Sequence, residues 1–220
     1  HVIRFRGHRA VRLGADIHLL NVYGLDRQDP PPLEELVENH PKYPDHRGPR
    51  KHKREFAKVF CHATNYCGSA RTVAAHTGRS VHEVDRAQQA WFAAHPGIRA
   101  WHERVKHQIN TRRYIENRFG YRWYIFDRLD MALAEAVAWV PQSTVANVIN
   151  KAWLNIYKAA PEIQVLLQVH DSLAGQFPPN TKLQSISKLK QLAQVTIPYD
   201  DPLVIPVGVK TSEVSWGECA

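Results

Sequence analysis

The 220-residue chain is 44% hydrophobic and 23% charged, a balance that excludes a disordered polymer and suits one or two folded domains. No apolar run approaches the roughly 18–20 residues that a membrane-spanning helix needs, so no membrane partner is expected. A net charge of +8 and a pI near 9.5 favour a polyanionic partner, nucleic acid foremost, although a merely basic surface satisfies the same count.

The chain opens on His1 with no Met and no signal-peptide pattern, and a cleavage point or a gene-split boundary is expected there. Residues 1–15 are basic and contain no acid; Asp16 is the first. From Asp29 to Lys53 the composition turns to Pro, His and charge, read as short helical fragments and a basic loop. A helix is expected over 51–66. Ser80 and Glu83 have capping-box spacing, and their helix should run to about Ala94, where Pro96-Gly97 breaks it and a second helix continues to about Asn110. Tyr114 to Phe126 is aromatic and β-branched, as in a hairpin. Helical spacing resumes at Met131, with Val145, Val148, Ile149, Ala152, Trp153 and Ile156 on one apolar face. Residues 165–178 read as an apolar strand, a polar His170-Asp171-Ser172 tip and a second short strand. Ser185 to Val195 reads as a helix and Pro202 to Lys210 as a final strand. Many helices followed by a few strands argue for an α+β fold.

Two segments carry chemistry. In the helix expected at 51–66, Arg54, Lys58, His62 and Tyr66 recur at i+4 and form one stripe, while Phe56, Val59, Phe60 and Ala63 are free to pack elsewhere. Arg forks onto phosphate oxygens, Lys adds a point charge, and an aromatic ring stacks on a base. Spacing alone favours a solvated basic face over such a ligand site. At the 165–178 hairpin, Asp171 presents a carboxylate where a metal and a DNA end could reach it, but spacing alone favours an ordinary turn Asp. The three cysteines, Cys61, Cys67 and Cys219, form no disulfide framework, which favours a reducing compartment. Cys61, His62 and Cys67 match no ordinary zinc spacing.

Arg54-Glu-Phe-Ala-Lys58, followed by Tyr66, resembles motif B of family A DNA polymerases, and Val169-His170-Asp171 resembles their motif C. Between and around them, in family order, Asp16-Ile-His18 is similar to the family's Asp-Ile-His. Ala94-His-Pro-Gly-Ile98 is similar to its Pro-Gly break, Arg118-Phe-Gly-Tyr-Arg122 to its Gly-Arg-Arg hairpin, Gln142-Ser-Thr-Val-Ala-Asn147 to its Gln-Gly-Thr-Ala-Ala-Asp helix start, and Ser215-Trp-Gly-Glu218 to its C-terminal end. Single motifs of this kind are weak; the ordered series covers nearly the whole chain.

The resemblance implies a mostly helical fingers subdomain over 1–130 and the C-terminal half of a palm over 131–220. It implies that Arg54, Lys58 and His18 meet the triphosphate of an incoming dNTP, with Lys58 also a proton donor to pyrophosphate. It further implies that His62 and Tyr66 line the dNTP site, that Gln142 and Arg122 contact primer–template DNA, and that Asp171 holds catalytic Mg²⁺ with His170 beside the primer terminus. Several positions depart from the family: His62 stands where Phe or Tyr is usual, Cys67 where Gly is usual and Ser172 where Glu is usual. Ala134 and Ala138 replace polar residues. These departures point to a phage or organellar branch, with a cytoplasmic setting expected.

Motif A, which supplies the other metal-binding Asp, lies upstream of Asp-Ile-His in the family, and residues 1–15 hold no carboxylate. A palm half without the motif A strand should leave the 165–171 strand with an unpaired apolar edge. The expectation is a split or truncated polymerase completed by an N-terminal polypeptide bearing motif A, thumb and possibly a 3′–5′ exonuclease. The alternative is a non-catalytic DNA-binding or scaffold subunit derived from a polymerase. A metal-dependent nuclease and an unrelated helical domain fit the ordered motifs less well.

Overall fold

The computed structural model describes residues 49–126 and 128–219, together with 21, 22, 32 and 35. Asp16–His18 and most of the 29–53 segment lie outside the described residues. Contacts divide the chain into two compact units: the described residues up to Ile115 with Trp123–Ala138, and Glu116–Arg122 with Trp139–Ala220. Helices dominate and the strands pair in three small antiparallel sheets, an α+β architecture as the sequence order implied.

The first unit begins with α1, Pro49–Asn65, whose leading Pro suits a first helical position because the N–H it lacks has no partner there. Phe60, Cys61, Val73, Ala74 and Val84 form a buried cluster, flanked by Phe56, Ala63, Ala87 and Trp91. The Trp91 ring stands edge-on to Phe60 at 6.2 Å. Burying Phe60 completely contributes about 2–3 kcal/mol. The inward face of α1 includes Ala57, Cys61 and Thr64, whereas Val59, expected to pack inward, is 37% exposed.

A short helix, α2 (Ala70–Thr77), was not read from the sequence; Ser69 caps it by accepting from the Thr72 N–H, and Gly78 closes it at φ 68. In α3, Val81–Ala94, the expected capping box is complete: Ser80 Oγ accepts from the Glu83 N–H and the Glu83 carboxylate accepts from the Ser80 N–H. α4 spans Pro96–Arg112, with Pro96 in the first turn. The hairpin follows as β1 (Tyr114–Glu116) and β2 (Arg122–Tyr124).

α5 runs from Leu129 to Ala159 and passes through Pro141. Pro141 removes one intrahelical bond, and the Ser143 and Thr144 hydroxyls donate to the Val140 carbonyl at 3.3 and 2.7 Å. Beyond Ala138 it belongs to the second unit, where Val148 and Ala152 pack with Val195 and Ile197. Ile156, Ala160 and Ile163 pack against Val165, Phe177 and Leu189. β3 (Gln164–Val169) and β4 (Ser172–Gln176) pair antiparallel, with a register shift between Val165 and Leu167. Beside that bulge the strands approach so closely that a Cβ on Gly175 would sit 2.7 Å from the Gln164 carbonyl.

α6 spans Lys182–Ala193, and β5 (Thr196–Ile197) pairs with β6 (Leu203–Val204). The strand expected over 202–210 is thus confined to two residues; Pro206 lacks an N–H, and 205–210 has no strand partner among the described residues.

Candidate functional site

The motif B stripe exists as a solvent-facing line on α1. Lys58 and His62 are exposed and Arg54 and Tyr66 half-buried, while the opposite side of the helix is sealed by Phe60 and Ala57. The rise of an α-helix sets successive members about 6 Å apart. Arg54 donates to Glu55 at 3.0 Å, and the His62 and Tyr66 rings lie 6.1 Å apart. Burial pushes the Tyr66 phenol above its ordinary range, which keeps the ring neutral at physiological pH. His18, the fifth expected dNTP contact, lies outside the described residues.

The helix end that presents Tyr66 has an identifiable termination. The Gly68 N–H donates to the Ala63 carbonyl at 2.7 Å and the Cys67 N–H to the Thr64 carbonyl at 3.3 Å, the crossed pair of a Schellman motif. Cys67 therefore occupies the left-handed position, φ 64, which favours glycine. That is a physical reason for the family's Gly where this chain has Cys. Gly68 is constrained differently: a Cβ there would meet the Ala63 carbonyl oxygen at 2.7 Å.

The motif C hairpin lies in the second unit. Val169 pairs with Ser172, leaving His170 and Asp171 as a two-residue loop. His170 takes φ 53, the sign that a tight hairpin turn requires at its first central residue. Both loop side chains are exposed. Ser172 Oγ donates back to the Val169 carbonyl at 2.8 Å, so the residue replacing the family's Glu closes its own turn. Leu166 and Leu167 on β3 are 55% and 51% exposed, and among the described residues β3 pairs with β4 alone.

The remaining expected DNA contacts, Gln142 and Arg122, also belong to the second unit. Gln142 is exposed on α5. Arg122 donates to Glu116 at 2.7 Å across the hairpin, an ion pair whose members are both about half exposed. What organises this region is Asn117, which sequence reasoning passed over. It is buried; its Nδ2 donates to Asn147 Oδ1 at 2.7 Å and Ser143 Oγ at 3.0 Å. Its Oδ1 accepts from the N–H groups of Phe119 and Tyr121. Asn147 and Ser143 belong to the Gln142–Asn147 segment, so one side chain ties the two neighbouring motifs together. An Asn at the start of a tight turn was the available signal.

Magnesium takes oxygen ligands, and the exposed Asp171 carboxylate suits one position of such a site. Among the described residues no three His, Cys, Asp or Glu side chains gather into a metal-binding group. Beside the hairpin lies a largely apolar groove of about 450 Å³, lined by Val145, Ile149, Val165 and Val207 and also by Asp171 and Lys210. Among the described residues no helix is long and apolar enough to cross a membrane.

Comparison with known proteins agrees with the ordered motifs. The thermostable DNA polymerase I of Thermus filiformis is 30% identical over 165 residues, 71% of this chain and 20% of that relative. The DNA polymerase of Mycobacterium phage D29 is 23% identical over 209 residues, 95% of this chain and 31% of the phage protein. In fold, the chain is similar to the POL domain of Pol1 from M. smegmatis in complex with DNA primer-template and dNTP. The TM-score is 0.68 at 20% identity, over 84% of this chain and 32% of that one. The chain thus spans between 20% and 32% of the length of these proteins. Residues 43–218 match the model of DNA polymerase family A, and the chain belongs to that family.

Proposed function

We propose that the chain is the fingers and C-terminal palm portion of a template-directed DNA polymerase that transfers a nucleotidyl group from a dNTP to a primer 3′-OH. The observation that carries this reading is the Arg54–Lys58–His62 line along α1, with Lys58 and His62 exposed, which ends on Tyr66 just past the helix. Cations near one end and a phenol at the other match a nucleoside triphosphate in charge and length. The primer 3′-OH gives up its proton to solvent as its oxygen bonds to the α-phosphorus, the bridge to the β-phosphate breaks, and pyrophosphate leaves. Arg54 and Lys58 bind and orient the phosphates, Lys58 delivers a proton to pyrophosphate, and His62 and Tyr66 border the nucleoside. Gln142 and Arg122 contact the duplex. His18 joins the phosphate contacts.

In this reading Asp171 would hold Mg²⁺, with His170 beside it at the primer terminus. Asp171 would hold the metal there, whose chemistry would be electrostatic stabilisation of the attacking and leaving oxygens. A second carboxylate comes, in this reading, from motif A outside residues 1–220, on a polypeptide segment that also carries the thumb and possibly an exonuclease. The exposed Leu166 and Leu167 and the apolar groove beside Asp171 support a strand docking there. A cytoplasmic site of action belongs to the same proposal.

A second reading has one observation in its favour. Ser172 offers a hydroxyl spent on its own turn where the family has a carboxylate, as suits a non-catalytic DNA-binding subunit. Native mass spectrometry of the protein as isolated, followed by primer extension with Mg²⁺ and dNTPs, separates the two. Extension that is lost in Asp171→Ala supports the polymerase; salt-sensitive DNA binding without extension, unchanged by Asp171→Ala, supports the binding subunit.

A further inference from the structure

Tyr66 lies just beyond the last turn of α1, and the backbone on either side of it is held by side chains from two other helices. Gln88 of α3 is only 8% exposed. Its Nε2 donates to the Gly68 carbonyl at 2.9 Å and to Thr64 Oγ1 at 3.2 Å. A carbonyl oxygen only accepts, so the amide nitrogen of Gln88 must face the turn, and its two hydrogens reach points on both sides of the Tyr66-Cys67 pair. Asn65 is secured separately: Oδ1 accepts from Trp91 Nε1 at 3.0 Å, and its carbonyl accepts from His102 Nε2 at 2.8 Å. Cys67 holds a left-handed conformation without being glycine, and such a conformation persists where its surroundings over-determine it.

We propose that Gln88 is a positioning residue for Tyr66: by clamping Thr64 to Gly68 it fixes the direction in which the Tyr66 ring leaves the end of α1. This rests on the reading of Tyr66 as a wall of the dNTP site; the clamp itself rests on the contacts alone. A ring held at one angle discriminates between well-formed and distorted base pairs. Loss of the clamp should therefore change nucleotide selection more than the chemical step.

The variant to make in the complete polymerase is Gln88→Met, which keeps length and apolar volume but neither donor. Gln88→Glu is the companion, since its carboxylate oxygens face an oxygen they cannot donate to. Two readouts are needed: amide hydrogen exchange over residues 62–68, and steady-state incorporation of correct and mismatched dNTPs. The expected result is faster exchange at the Tyr66, Cys67 and Gly68 amides. KM for the correct dNTP should rise about fivefold to tenfold with kcat within about twofold, the size expected from one or two lost buried hydrogen bonds.

Unchanged exchange at these amides overturns the clamp whatever the enzyme does. Faster exchange with unaltered KM and mismatch ratio overturns its role in selection. A wild-type protein that extends no primer overturns the polymerase reading and this role with it, while the exchange data still judge the clamp separately. A uniform fall in kcat and in thermal midpoint, with no change in selection, reports a merely structural residue and also overturns the proposal.

Discussion

Asn117 and Asn147 are 30 residues apart in sequence and share a 2.7 Å hydrogen bond from Nδ2 to Oδ1. The same Asn117 amide accepts the N–H groups of Phe119 and Tyr121, so it sets both the shape of the β1–β2 loop and its place on α5. Asn117→Ala leaves two backbone donors and the buried Asn147 oxygen without their partner. We expect a loss of about 2–3 kcal/mol, measured by urea denaturation. A loss below about 0.5 kcal/mol would mean that water replaces the amide and that the network does not organise the loop.

Cys67 provides a test of backbone strain. A non-glycine residue in the left-handed region costs roughly 1–2 kcal/mol, part of which glycine gives back through the greater freedom of its unfolded chain. Cys67→Gly should therefore be neutral or stabilising by up to about 1 kcal/mol, while Cys67→Val, β-branched at positive φ, should destabilise by at least about 1 kcal/mol. Equal stability of the two variants in thermal denaturation would show that the turn relaxes out of the left-handed region.

The helices that carry their own punctuation were legible in the sequence. Ser80 with Glu83 and Pro96 marked α3 and α4 because capping and Pro chemistry act within one turn. The apolar-polar-apolar run at 165–178 marked β3 and β4 for the same local reason. The eight-residue α2 was missed, being too short to show periodicity. Val59 is exposed although it lies beside the apolar positions, because 3.6-residue spacing defines a face only to within about one position. Over 202–210 the sequence shows only a tendency to extend, whereas a strand needs a partner, and beyond Val204 the described residues provide none. The stripe of Arg54, Lys58, His62 and Tyr66 was legible as spacing. Gln88 and His102 were not, since their bonding partners lie between 20 and 37 residues away; of Asn117 only the local turn was within reach, its partners on α5 lying 26 and 30 residues on.

Thiol reactivity should separate the cysteines. Burial pushes the Cys61 thiol up to about 12, only partly offset by a hydrogen bond with Asn21. At pH 8 its thiolate fraction is then about one in ten thousand. Iodoacetamide should modify Cys61 only after unfolding, whereas Cys219, a free and partly exposed thiol, should react in the folded protein. Peptide mapping after timed alkylation checks this. Rapid native labelling of Cys61 would mean that the cluster around Phe60 opens readily.

Acid should weaken the protein through two carboxylates. A hydrogen bond from Lys188 lowers the Glu162 pKa below its ordinary 4.5, and hydrogen bonds from Ser80 lower that of Glu83. For each group the folded value lies below the unfolded one, so its contribution is fully present above pH 4.5. It is lost as pH falls through the depressed folded values. In Glu162→Gln the decline of stability below pH 4.5 should be shallower than in the wild type, as read from urea midpoints at stepped pH. An identical acid slope in the two proteins would assign the decline to other carboxylates.

Arg54, half-buried, and Lys58, exposed, lie one turn apart on α1, but their chemistry differs, and kinetics should tell them apart. A guanidinium grips phosphate oxygens with two parallel donors and stays charged at any working pH. An ammonium is a compact charge that also gives up a proton. In the complete polymerase, Arg54→Lys keeps the charge and loses the fork, so KM for dNTP should rise about tenfold with kcat little changed. Lys58→Ala removes a charge and a proton donor at the leaving group, so kcat should fall about a hundredfold to a thousandfold. Single-turnover incorporation across a dNTP series measures both. If both variants match the wild type, α1 presents a solvated basic face, and the triphosphate must be bound elsewhere. Opposite assignments, with KM moved by Lys58→Ala and kcat by Arg54→Lys, would keep the site and reverse the two roles.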